Sequence, residues 1–335
     1  MKRARIDAEM VTDYAVLTRA AVVAAKGKRQ RPDVVRFFSE FDRNIATLRD
    51  DFRSGIAPYN RFRCFTIYDP KKRIITAVSF EDRVVHHALM HFAAPVLEKA
   101  MVSETYACRP GKGPLAAVLR VQENIRRHPW YVQIDIEKYF ESIRHDVLFK
   151  CLTRRFKGPF FHELVHRIVC GYQTEPGRGL PIGSLTSQYF ANYYLDRLDR
   201  LITESTPARG YTRYMDDMVW WCGDRRTGKA ILETVKGFAI ETLGLKIKDT
   251  IRLQRSRAGI SFCGFRILPG ALRLSRRKKR RYAERKGFWE EKYMAGDIDA
   301  VQLQRAYDAV SGMVKHASAA GWMRQQEQRH PRLEI

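Results

Sequence analysis

The adjacent carboxylates Asp216 and Asp217 are the residues of this chain that best suit metal-dependent chemistry. They lie between two runs rich in aromatic and β-branched residues, Tyr211–Tyr214 and Val219–Cys222, and such runs around a short acidic turn predict a β-hairpin. A hairpin tip can hold carboxylates rigidly at a surface, as a catalytic metal requires. Residues 214–217 taken alone fit a solvated acidic turn better, so the prediction depends on other parts of the chain.

A third carboxylate in a different segment favours a metal centre. Asp135 ends the run Tyr131–Asp135, where a predicted buried strand opens into a loop. Nucleotidyl transfer uses two divalent cations, one activating the attacking hydroxyl and one holding the triphosphate, and Mg²⁺ prefers hard oxygen ligands. Neighbouring strand residues point to opposite faces, so we expect Asp216 to bridge the ions and Asp217 to be a weaker ligand. The predicted catalytic residues are Asp135, Asp216 and Asp217, and the predicted ligands of two Mg²⁺ ions, for which Mn²⁺ can substitute, are Asp135, Ile136, Asp216 and Asp217.

The composition indicates a globular protein with a polyanionic partner. Hydrophobic residues make up 45% of the 335 residues, and a chain of this length can form two or three domains with a sizeable core. Lysine and arginine number 61 against 37 acidic residues, a net charge of +24, which favours nucleic acid over a merely basic surface. The six cysteines include no Cys-x-x-Cys pair, so we expect no zinc site and a reducing cytoplasm. No apolar run is long enough to predict a membrane span.

Hydrophobic periodicity predicts a mixture of helices and strands. A helical segment over 1–55 precedes two strands, Phe62–Tyr68 and Arg73–Phe80, around a basic turn at Asp69–Lys72. The elements predicted after it are helices at 82–100, 114–128, 144–156, 160–171, 184–203 and 228–243, strands at 131–136, 246–254 and 259–268, a hairpin at 211–222 and basic helices from 275. Pro269 and Gly270 mark a boundary before the basic run.

Several motifs occur in the order and spacing of a reverse transcriptase. The motifs that carry this resemblance are Asp135 with Phe140, Gly183 within Leu180–Gln188, and Tyr214–Asp217. Flanking segments extend it: Phe65–Arg83 resembles a fingers hairpin, Arg109–Gly113 the Arg-Pro-Gly motif of bacterial and group II intron enzymes, Leu243–Lys246 a palm motif, and Phe262–Phe265 a primer grip. The resemblance covers residues 40–270, and residues 275–335 only by position and charge.

This resemblance implies an α+β fold of the right-hand polymerase type, with fingers, an antiparallel-sheet palm and a helical, basic thumb. The corresponding division is an N-terminal helical extension at 1–60, fingers with part of the palm at 61–130, a palm at 131–270 with a fingers insertion at about 144–180, and a thumb at 271–335. The implied activity is RNA-directed DNA synthesis from deoxynucleotides, a primer and a template RNA. The rival interpretation is a catalytically silent RNA-binding subunit that keeps a polymerase-like palm.

The segment Ile182–Gln188 indicates a subfamily. Most reverse transcriptases carry Gln-Gly followed by Ser-Pro here, whereas Ile-Gly followed by Ser-Gln resembles the enzymes of diversity-generating retroelements. Ile182 cannot donate or accept a hydrogen bond near the nascent pair, which predicts error-prone synthesis; the alternative is a packing variant.

The subfamily resemblance implies a cytoplasmic enzyme of a bacterium or phage that copies a template-repeat RNA for mutagenic retrohoming. It further implies miscopying chiefly opposite template adenines and a small, basic, oligomeric accessory protein. The alternative is a retron-type or phage-defence enzyme that copies its own structured RNA. A group II intron protein is less favoured, because no endonuclease, zinc or long maturase segment is evident in the sequence.

The predicted nucleotide-binding residues combine these motifs with basic side chains. An aromatic ring at Phe140 would lie under the incoming sugar and exclude a 2′-hydroxyl, and Gly183 would let the backbone approach the base pair. Arg73 would reach the triphosphate, and Lys248 is a candidate proton donor to pyrophosphate. The alternatives are that Phe140 is a core side chain, that Gly183 is an ordinary turn glycine and that the basic residues of the hairpin form a solvated face. For Arg109 the alternative is a structural ion pair. The full predicted set is Arg63, Lys72, Arg73, Arg109, Phe140, Ile182, Gly183, Gln188 and Lys248.

The start of the predicted thumb is strongly basic. Residues 271–290 hold nine Lys or Arg against two Glu, which suits a surface that grips an RNA–DNA hybrid through its phosphates. Such binding weakens steeply with salt; the alternative is a solvated charged helix. The predicted primer- and template-binding residues are Tyr214, Met215, Phe262, Gly264, Phe265, Arg276, Arg277, Lys278, Lys279 and Arg280.

Overall fold

The protein is described by a computed structural model over residues 2–68, 72–312 and 314–333. Two compact units are present, and each is built from segments distant in sequence. The first comprises Met1–Ser103, Asp135–Ser205 and Glu233–Asp249, and the second comprises Glu104–Ile134, Thr206–Leu232 and Thr250–Ile335. Both units contain helices and strands, so the predicted α+β class is confirmed. Of the basic turn predicted at Asp69–Lys72, all but Lys72 lies outside the described residues.

The first unit is mainly helical. Its helices are α1 (Ala8–Val11), α2 (Tyr14–Ala24), α3 (Pro32–Ser39), α4 (Phe41–Arg53), α5 (Phe80–Ala100), α7 (Tyr139–Ser142), α8 (His145–Thr153), α9 (Pro159–Cys170), α10 (Leu185–Tyr194) and α11 (Asp196–Ser205). The long helix α5 begins where Ser79 Oγ accepts a hydrogen bond from the Asp82 amide (3.0 Å), as an N-cap serine does. Its apolar side chains are buried, and it packs against α2 and α10.

Two pairs of strands complete the first unit. β2 (Phe62–Tyr68) and β3 (Lys72–Val78) form an antiparallel hairpin, and β1 (Ala4–Arg5) pairs in parallel with β5 (Phe156–Lys157). The hairpin is paired along its whole length, from Phe62 with Val78 to Tyr68 with Lys72. Since paired residues share a face, this register decides which side chains of the hairpin act together.

The second unit contains the main sheet. Its four strands are β4 (Trp130–Ile134), β6 (Gly210–Tyr214), β7 (Asp217–Cys222) and β8 (Arg252–Arg255), all antiparallel and in the order β6-β7-β4-β8. The strands β9 (Ile260–Phe262), β10 (Phe265–Ile267) and β11 (Leu272–Leu274) form a separate three-stranded sheet. The helices are α6 (Pro114–Arg127), α13 (Arg276–Met294), α14 (Ala300–Gly312) and α15 (Ala320–Arg329), and α12 (Arg225–Leu243) runs from this unit into the first.

One apolar core holds the second unit together. It joins side chains of α6, of the main sheet, of the small sheet and of α13 and α14, including Val121, Tyr131, Trp221, Phe262 and Tyr282. Tyr131, Val219 and Trp221 face this core from β4 and β7. The other residues of the two strands are buried as well, apart from Trp130 and Asp217, so both faces of the sheet centre are covered. Burial of large aromatic side chains at the sheet centre makes the strand register costly to shift.

Three predicted elements differ from the structure. The helix predicted at 184–203 is two helices that meet at Leu195, and the second starts with Asp196, whose buried carboxylate accepts from the Val102 amide (3.1 Å). The strand predicted at 246–254 is only Arg252–Arg255, because residues 246–248 bond to the main chain of residues 135–137 instead. The strand predicted at 259–268 is the hairpin β9–β10. Within the described part of the chain, none of the helices combines the length and apolar character needed to cross a bilayer.

Candidate active site

The acidic turn joins β6 to β7 in the second unit. Tyr214 pairs with Asp217, which leaves Met215 and Asp216 as a two-residue turn. Met215 has a φ of 56°, in the left-handed region that a side chain other than glycine adopts at a cost of about 1 kcal/mol. The buried guanidinium of Arg213 donates from Nη1 to the carbonyl of Met215 (3.0 Å). The predicted hairpin is therefore present, and its tip is fixed from within the sheet.

Gln133 orients the Asp217 carboxylate, a role that we did not predict. Its side chain is 8% exposed, and Nε2 donates to Asp217 Oδ1 (2.9 Å) and to the Ser261 carbonyl (3.2 Å). Its Oε1 accepts from Arg252 Nη1 (3.3 Å). A buried amide with these three hydrogen bonds has one preferred orientation. The sequence signal was a polar residue inside the apolar run 131–134.

Asp135 and Lys248 form an ion pair in the first unit. Lys248 Nζ lies 2.7 Å from Asp135 Oδ1, and the Lys248 amide donates to the Asp135 carbonyl (2.9 Å). The Glu137 amide donates to the Lys246 carbonyl (2.8 Å), and Ile136 forms an antiparallel bridge with Ile247. Residues 135–137 are thus held by a short antiparallel ladder with residues 246–248 of the same chain. Lys248, the predicted proton donor, contacts Asp135, a predicted metal ligand.

The register of the main sheet relates the acidic segments. Ile134, the last residue of β4, pairs with Met218 of β7. Asp135 is the next residue after Ile134, and Asp217 directly precedes Met218. Within residues 2–68, 72–312 and 314–333, no group of three or more His, Cys, Asp or Glu side chains is arranged to hold a metal ion. The chemistry of the predicted ligands, all oxygen donors, suits Mg²⁺.

The basic residues predicted on the β2–β3 hairpin lie on two faces. Arg63 pairs with Ala77 and Ile67 pairs with Arg73, so alternation places Arg63 and Arg73 on the same face. Lys72 lies on the opposite face. All three basic side chains are exposed. Of these three residues, only Arg63 and Arg73 can contact a ligand bound to one face of the hairpin.

The loop before α10 packs against this hairpin. The Thr76 amide donates to the Ile182 carbonyl (2.9 Å). Gly183 has a φ of 123°, and a Cβ there would lie 3.1 Å from Ile75 Cγ2 and 3.4 Å from the Thr76 carbonyl oxygen. Ile75 shares a face of the hairpin with Arg73, because the two residues are two positions apart on β3. Gly183 is therefore required both for its backbone conformation and for close approach to β3.

Phe140 belongs to the same part of the first unit. The Leu180 amide donates to the Phe140 carbonyl (2.9 Å), which ties α7 to the segment leading into Ile182. The Phe140 ring is partly exposed, whereas the neighbouring Tyr139 is buried and donates its hydroxyl to the Ala191 carbonyl. Tyr139 thus anchors α7, and its ring lies 5.7 Å from that of Phe140, centroid to centroid.

A buried histidine supports this loop and was not predicted. His86 of α5 is 3% exposed, and its Nδ1 is hydrogen-bonded to Ser184 Oγ (2.8 Å) and Thr186 Oγ1 (3.3 Å). Burial lowers the pKa of His86 to about 3, with smaller contributions from His87 and Arg83, so the ring is neutral. Gln188 is partly exposed on α10, and its main-chain N–H donates to the Ser184 carbonyl (3.3 Å). The end of the loop and the start of α10 are therefore held through Ser184.

Arg109 lies in the second unit. Its Nη1 donates to Thr105 Oγ1 (2.5 Å) and to the Thr105 carbonyl (3.3 Å). Both bonds are local and support the alternative of a structural role for this residue.

The predicted primer-grip residues form the tight turn between β9 and β10. Phe262 pairs with Phe265, and Cys263 and Gly264 have φ values of 45° and 77°, as a two-residue hairpin turn requires. Lys278 Nζ lies 3.4 Å from the centroid of the Phe265 ring, a cation–π contact. A Cβ on Gly264 would lie 2.9 Å from Lys278 Cε, so this glycine lets α13 approach the turn.

The basic residues at the start of α13 differ in exposure. Arg276, Arg277 and Arg280 are exposed, whereas Lys278 and Lys279 are partly buried. Lys279 Nζ lies 5.3 Å from the centroid of the Trp322 ring, and burial lowers the pKa of Lys278. Tyr214 is partly buried against the core of this unit, and burial raises its pKa. The first two turns of α13 thus carry three exposed arginines, and Arg280 Nε lies 3.2 Å from Glu284 Oε1.

Comparison with known proteins gives the family. Residues 68–266, more than half of the chain, match the model of the reverse transcriptase (RNA-dependent DNA polymerase) family. This chain belongs to the reverse transcriptase family. The membership confirms the predicted enzyme class, an RNA-directed DNA polymerase, and the predicted polymerase fold.

Relatives of this reverse transcriptase include bacterial proteins. Protein YkfC of Escherichia coli is 24% identical over 288 residues, which cover 72% of this chain and 73% of that protein. Group II intron-encoded protein LtrA of Lactococcus lactis is 22% identical over 140 residues, which cover 40% of this chain and 23% of LtrA. Among solved structures, telomerase from Candida albicans superimposes with a TM-score of 0.48 at 11% identity, covering 70% of this chain and 52% of that one. The chain thus spans most of YkfC and about a quarter of LtrA.

Proposed function

We propose that this reverse transcriptase binds two Mg²⁺ ions through Asp135, Asp216 and Asp217, with the main chain of Ile136 as a further oxygen donor. The observation that carries the proposal is the pairing of Ile134 with Met218. This register starts the Asp135 segment at the same edge of the main sheet as the acidic turn. When bound, the ions activate the primer 3′-hydroxyl and neutralise the triphosphate.

We infer that neighbouring residues orient the three carboxylates that would bind the metal ions. Gln133 holds Asp217 in one orientation, and Arg213 fixes the turn that carries Asp216. Lys248 keeps the charge of Asp135 compensated, since clustered carboxylates repel one another. A preoriented set of ligands lowers the cost of assembling the reactants.

The incoming deoxynucleotide would bind in the first unit. The ring of Phe140 would lie against the sugar, Gly183 and Ile182 against the nascent pair, and Arg73 at the triphosphate. Support comes from the bonds that tie the Ile182 and Phe140 segments together and to β3. Lys72 and Gln188 would have supporting roles, whereas Arg109 lies in the second unit and would support the segment of Thr105. The division into an N-terminal extension, fingers, palm and thumb at 60, 130 and 270 belongs to the same proposal.

The primer and the template hybrid would bind to the second unit. The turn Phe262–Phe265, Tyr214 and Met215 would hold the primer end, and the basic start of α13 would contact phosphates. The exposed Arg276, Arg277 and Arg280 support this role. Because such contacts release counterions, the affinity should fall steeply with salt.

The substitution Asp216→Ala tests the metal site. Loss of this carboxylate should abolish primer extension with Mg²⁺ or Mn²⁺ and leave RNA binding intact. Asp308→Ala is the matched control, because Asp308 lies on α14, outside the acidic turn, and accepts a hydrogen bond from Gln304. Extension at the wild-type rate by Asp216→Ala would overturn the site. RNA binding by a wild-type protein that extends no primer would favour the silent subunit.

Within the family, we propose error-prone synthesis of cDNA from a template-repeat RNA of a diversity-generating retroelement. The motif Ile182–Gln188 supports this, because Ile182 offers no polar group that could report a mismatch. Misincorporation, chiefly opposite adenines, should fall in Ile182→Gln on a defined RNA template. Ile182→Leu is the control, since it keeps an apolar side chain of the same size. Equal error rates in wild type and Ile182→Gln would reject the idea.

A second candidate is an enzyme that copies its own structured RNA, as in the retron-type or phage-defence alternative. The similarity to an intron-encoded protein favours it. Sequencing the cDNA made on the cognate RNA separates the two, because only the first predicts errors concentrated at template adenines.

The surplus positive charge suggests an accessory partner. A small basic protein would share the sign of this chain, which carries +24, so we propose that RNA bridges the two. Copurification should then be lost after nuclease treatment. A complex that survives both nuclease and high salt would show direct protein contact instead.

A further inference from the structure

A group of exposed arginines lies at the end of the main sheet opposite to the acidic turn. Because the sheet is antiparallel throughout, β4 and β6 begin at this end, and β7 and β8 finish there. The last row of the sheet is Trp130, which pairs with both Cys222 and Arg255. From Asp217 to Cys222 the strand covers about 17 Å, which separates this row from the acidic turn. The distal surface is defined by six exposed arginines of the second unit: Arg127, Arg209, Arg225, Arg226, Arg255 and Arg257.

Arg127 and Arg209 are close enough to act on the same side chain, the partly exposed His128. Burial lowers the pKa of this histidine, and three arginine charges, among them Arg209 and Arg127, lower it further. The Arg209 guanidinium also lies beside Gly223, where an added Cβ would be 3.1 Å from Nη2. Among the described residues, Arg127 is the one member of the distal surface with an ion pair, to Glu123 (2.7 Å). Positive charge therefore accumulates here with little compensation.

Arg255 and Arg257 extend the distal surface across the end of the sheet. The Arg255 guanidinium lies over the ring of Trp130, 5.2 Å from its centroid. The Ser256 amide donates to the Pro129 carbonyl (2.9 Å), so the turn that carries Arg257 is held beside the start of β4. A guanidinium placed on an aromatic ring keeps its N–H groups available to an acceptor and is already partly ordered.

The position of Arg225 and Arg226 points to a negatively charged partner. Both lie in the first turn of α12, which holds no acidic residue. Asp224 precedes them, and its carboxylate accepts two hydrogen bonds from Thr227. Because the N-terminus of a helix carries a partial positive charge, two arginines there are unfavourable for the folded chain alone. A bound polyanion would offset this repulsion.

Base-paired RNA is the polyanion that fits the distal surface best. An A-form duplex is recognised by its shape and through its phosphates and 2′-hydroxyls, and exposed arginines suit phosphates. Binding of single strands instead uses aromatic rings on which the bases stack. The ring at this end of the sheet, Trp130, is only partly exposed and has Arg255 over it. The surface thus offers phosphate contacts rather than a stacking platform.

We propose that the distal surface binds a base-paired part of the template RNA, outside the segment that is being copied. The inference rests on the proposed function in taking the template RNA as the partner. The primer end belongs at the acidic turn, about 17 Å away along β7. One RNA is then copied at the turn and anchored at the distal surface.

The test is the affinity for a labelled RNA hairpin, measured by fluorescence anisotropy in EDTA. Arg209→Ala/Arg255→Ala removes two exposed guanidinium groups and should weaken hairpin binding about 60-fold at 0.1 M salt, with a salt slope smaller by about 1.8. The KM for a short primer–template in extension should stay unchanged. Arg305→Ala/Arg324→Ala is the matched control, because these exposed arginines lie on α14 and α15 of the same unit.

A second variant separates RNA binding from folding. Arg225→Ala/Arg226→Ala should weaken hairpin binding to a similar extent and leave the Tm equal or slightly higher, because it removes two positive charges from a helix N-terminus. A lowered Tm with the hairpin affinity of the wild type would give these two arginines a structural role and remove them from the distal surface.

Three outcomes would overturn the assignment. One is a hairpin affinity of Arg209→Ala/Arg255→Ala equal to that of the control, which would leave a solvated face. Another is a KM for the primer–template that rises as much as the hairpin affinity falls, which would make the surface part of the primer site. The third is displacement of the hairpin by polyglutamate at a lower concentration than by unlabelled hairpin, which would favour an acidic protein. Because the binding assay needs neither a metal nor synthesis, failure of the proposed metal site would leave its result interpretable.

Discussion

Lys248 Nζ lies 2.7 Å from Asp135 Oδ1, and the main chains of the same two residues are hydrogen-bonded as well. An ammonium group thus occupies one oxygen of a carboxylate that we propose as a metal ligand. The lysine and the metal would compete for Asp135, and the balance between them would set how much Mg²⁺ the enzyme needs.

Lys248→Met should therefore lower the Mg²⁺ concentration that gives half-maximal primer extension. The expected change is about two- to fivefold, because a partly exposed ion pair contributes up to about 1 kcal/mol. Lys246→Met is the control, since Lys246 pairs with Glu137 (3.0 Å) two residues away. If kcat falls while the Mg²⁺ requirement stays the same, Lys248 acts as the proton donor instead.

Gln133→Met should lower kcat by about tenfold to a hundredfold with little change in the KM for the deoxynucleotide. The substitution removes a hydrogen bond to a carboxylate, which contributes about 1.5–3 kcal/mol, and with it one constraint on the orientation of Asp217. Gln122→Met is matched in burial but removes a bond to the Leu268 carbonyl (3.2 Å). Steady-state kinetics and thermal unfolding should show a similar stability loss in both variants and a loss of kcat in Gln133→Met alone. Equal kcat values would contradict a positioning role.

Gly183→Ala should raise the KM for the deoxynucleotide. The new methyl group would lie 3.1 Å from Ile75 Cγ2 on a backbone with a φ of 123°, so the loop would have to move away from β3. Gly177→Ala separates packing from strain, because Gly177 has a φ of 72° but no neighbour within 4 Å of an added Cβ. We expect a large increase in KM for the first variant and a small one for the second, measured by extension at varied nucleotide concentration. The same increase in both would show that backbone strain alone is responsible.

Acid should destabilise the first unit through His86 and His87. Burial lowers their pKa values to about 3 and about 4 from the ordinary 6.5. Below pH 6.5 the unfolded chain binds protons that the folded chain does not, so the free energy of unfolding falls as the pH drops towards 4. His86 contributes about 1.4 kcal/mol per pH unit, and the partly exposed His87 contributes less.

The pH dependence can be checked by urea unfolding between pH 4.5 and 7.5. His86→Gln should be less stable at neutral pH, because it disturbs the bonds to Ser184 and Thr186. Its stability should nevertheless depend on pH less than half as steeply as that of the wild type over the acid range. An unchanged slope would show that His86 is not the group responsible.

Local patterns were sufficient to predict the strands and turns that carry the acidic residues. The aromatic and β-branched runs on either side of Asp216 and Asp217 predict a hairpin, and β6 and β7 are present. The polymerase class followed from the order of the motifs and is confirmed by the family match. Less local features were predicted wrongly: the helix at 184–203 is interrupted at Leu195, and the strand at 259–268 turns back at Cys263. These depend on a buried carboxylate and on left-handed backbone conformations, which periodicity does not reveal.

The sequence by itself determined the enzyme class of this protein and predicted its oxygen ligands and basic surfaces, because residue types and the order of motifs are properties of the chain. Only the tertiary structure decided which side chains act on one another. Gln133 meets Asp217 across 84 residues of chain, and Thr76 meets Ile182 across more than a hundred. Such contacts follow from strand register and from the packing of distant segments, and these are set by the burial of the whole core rather than by any local pattern.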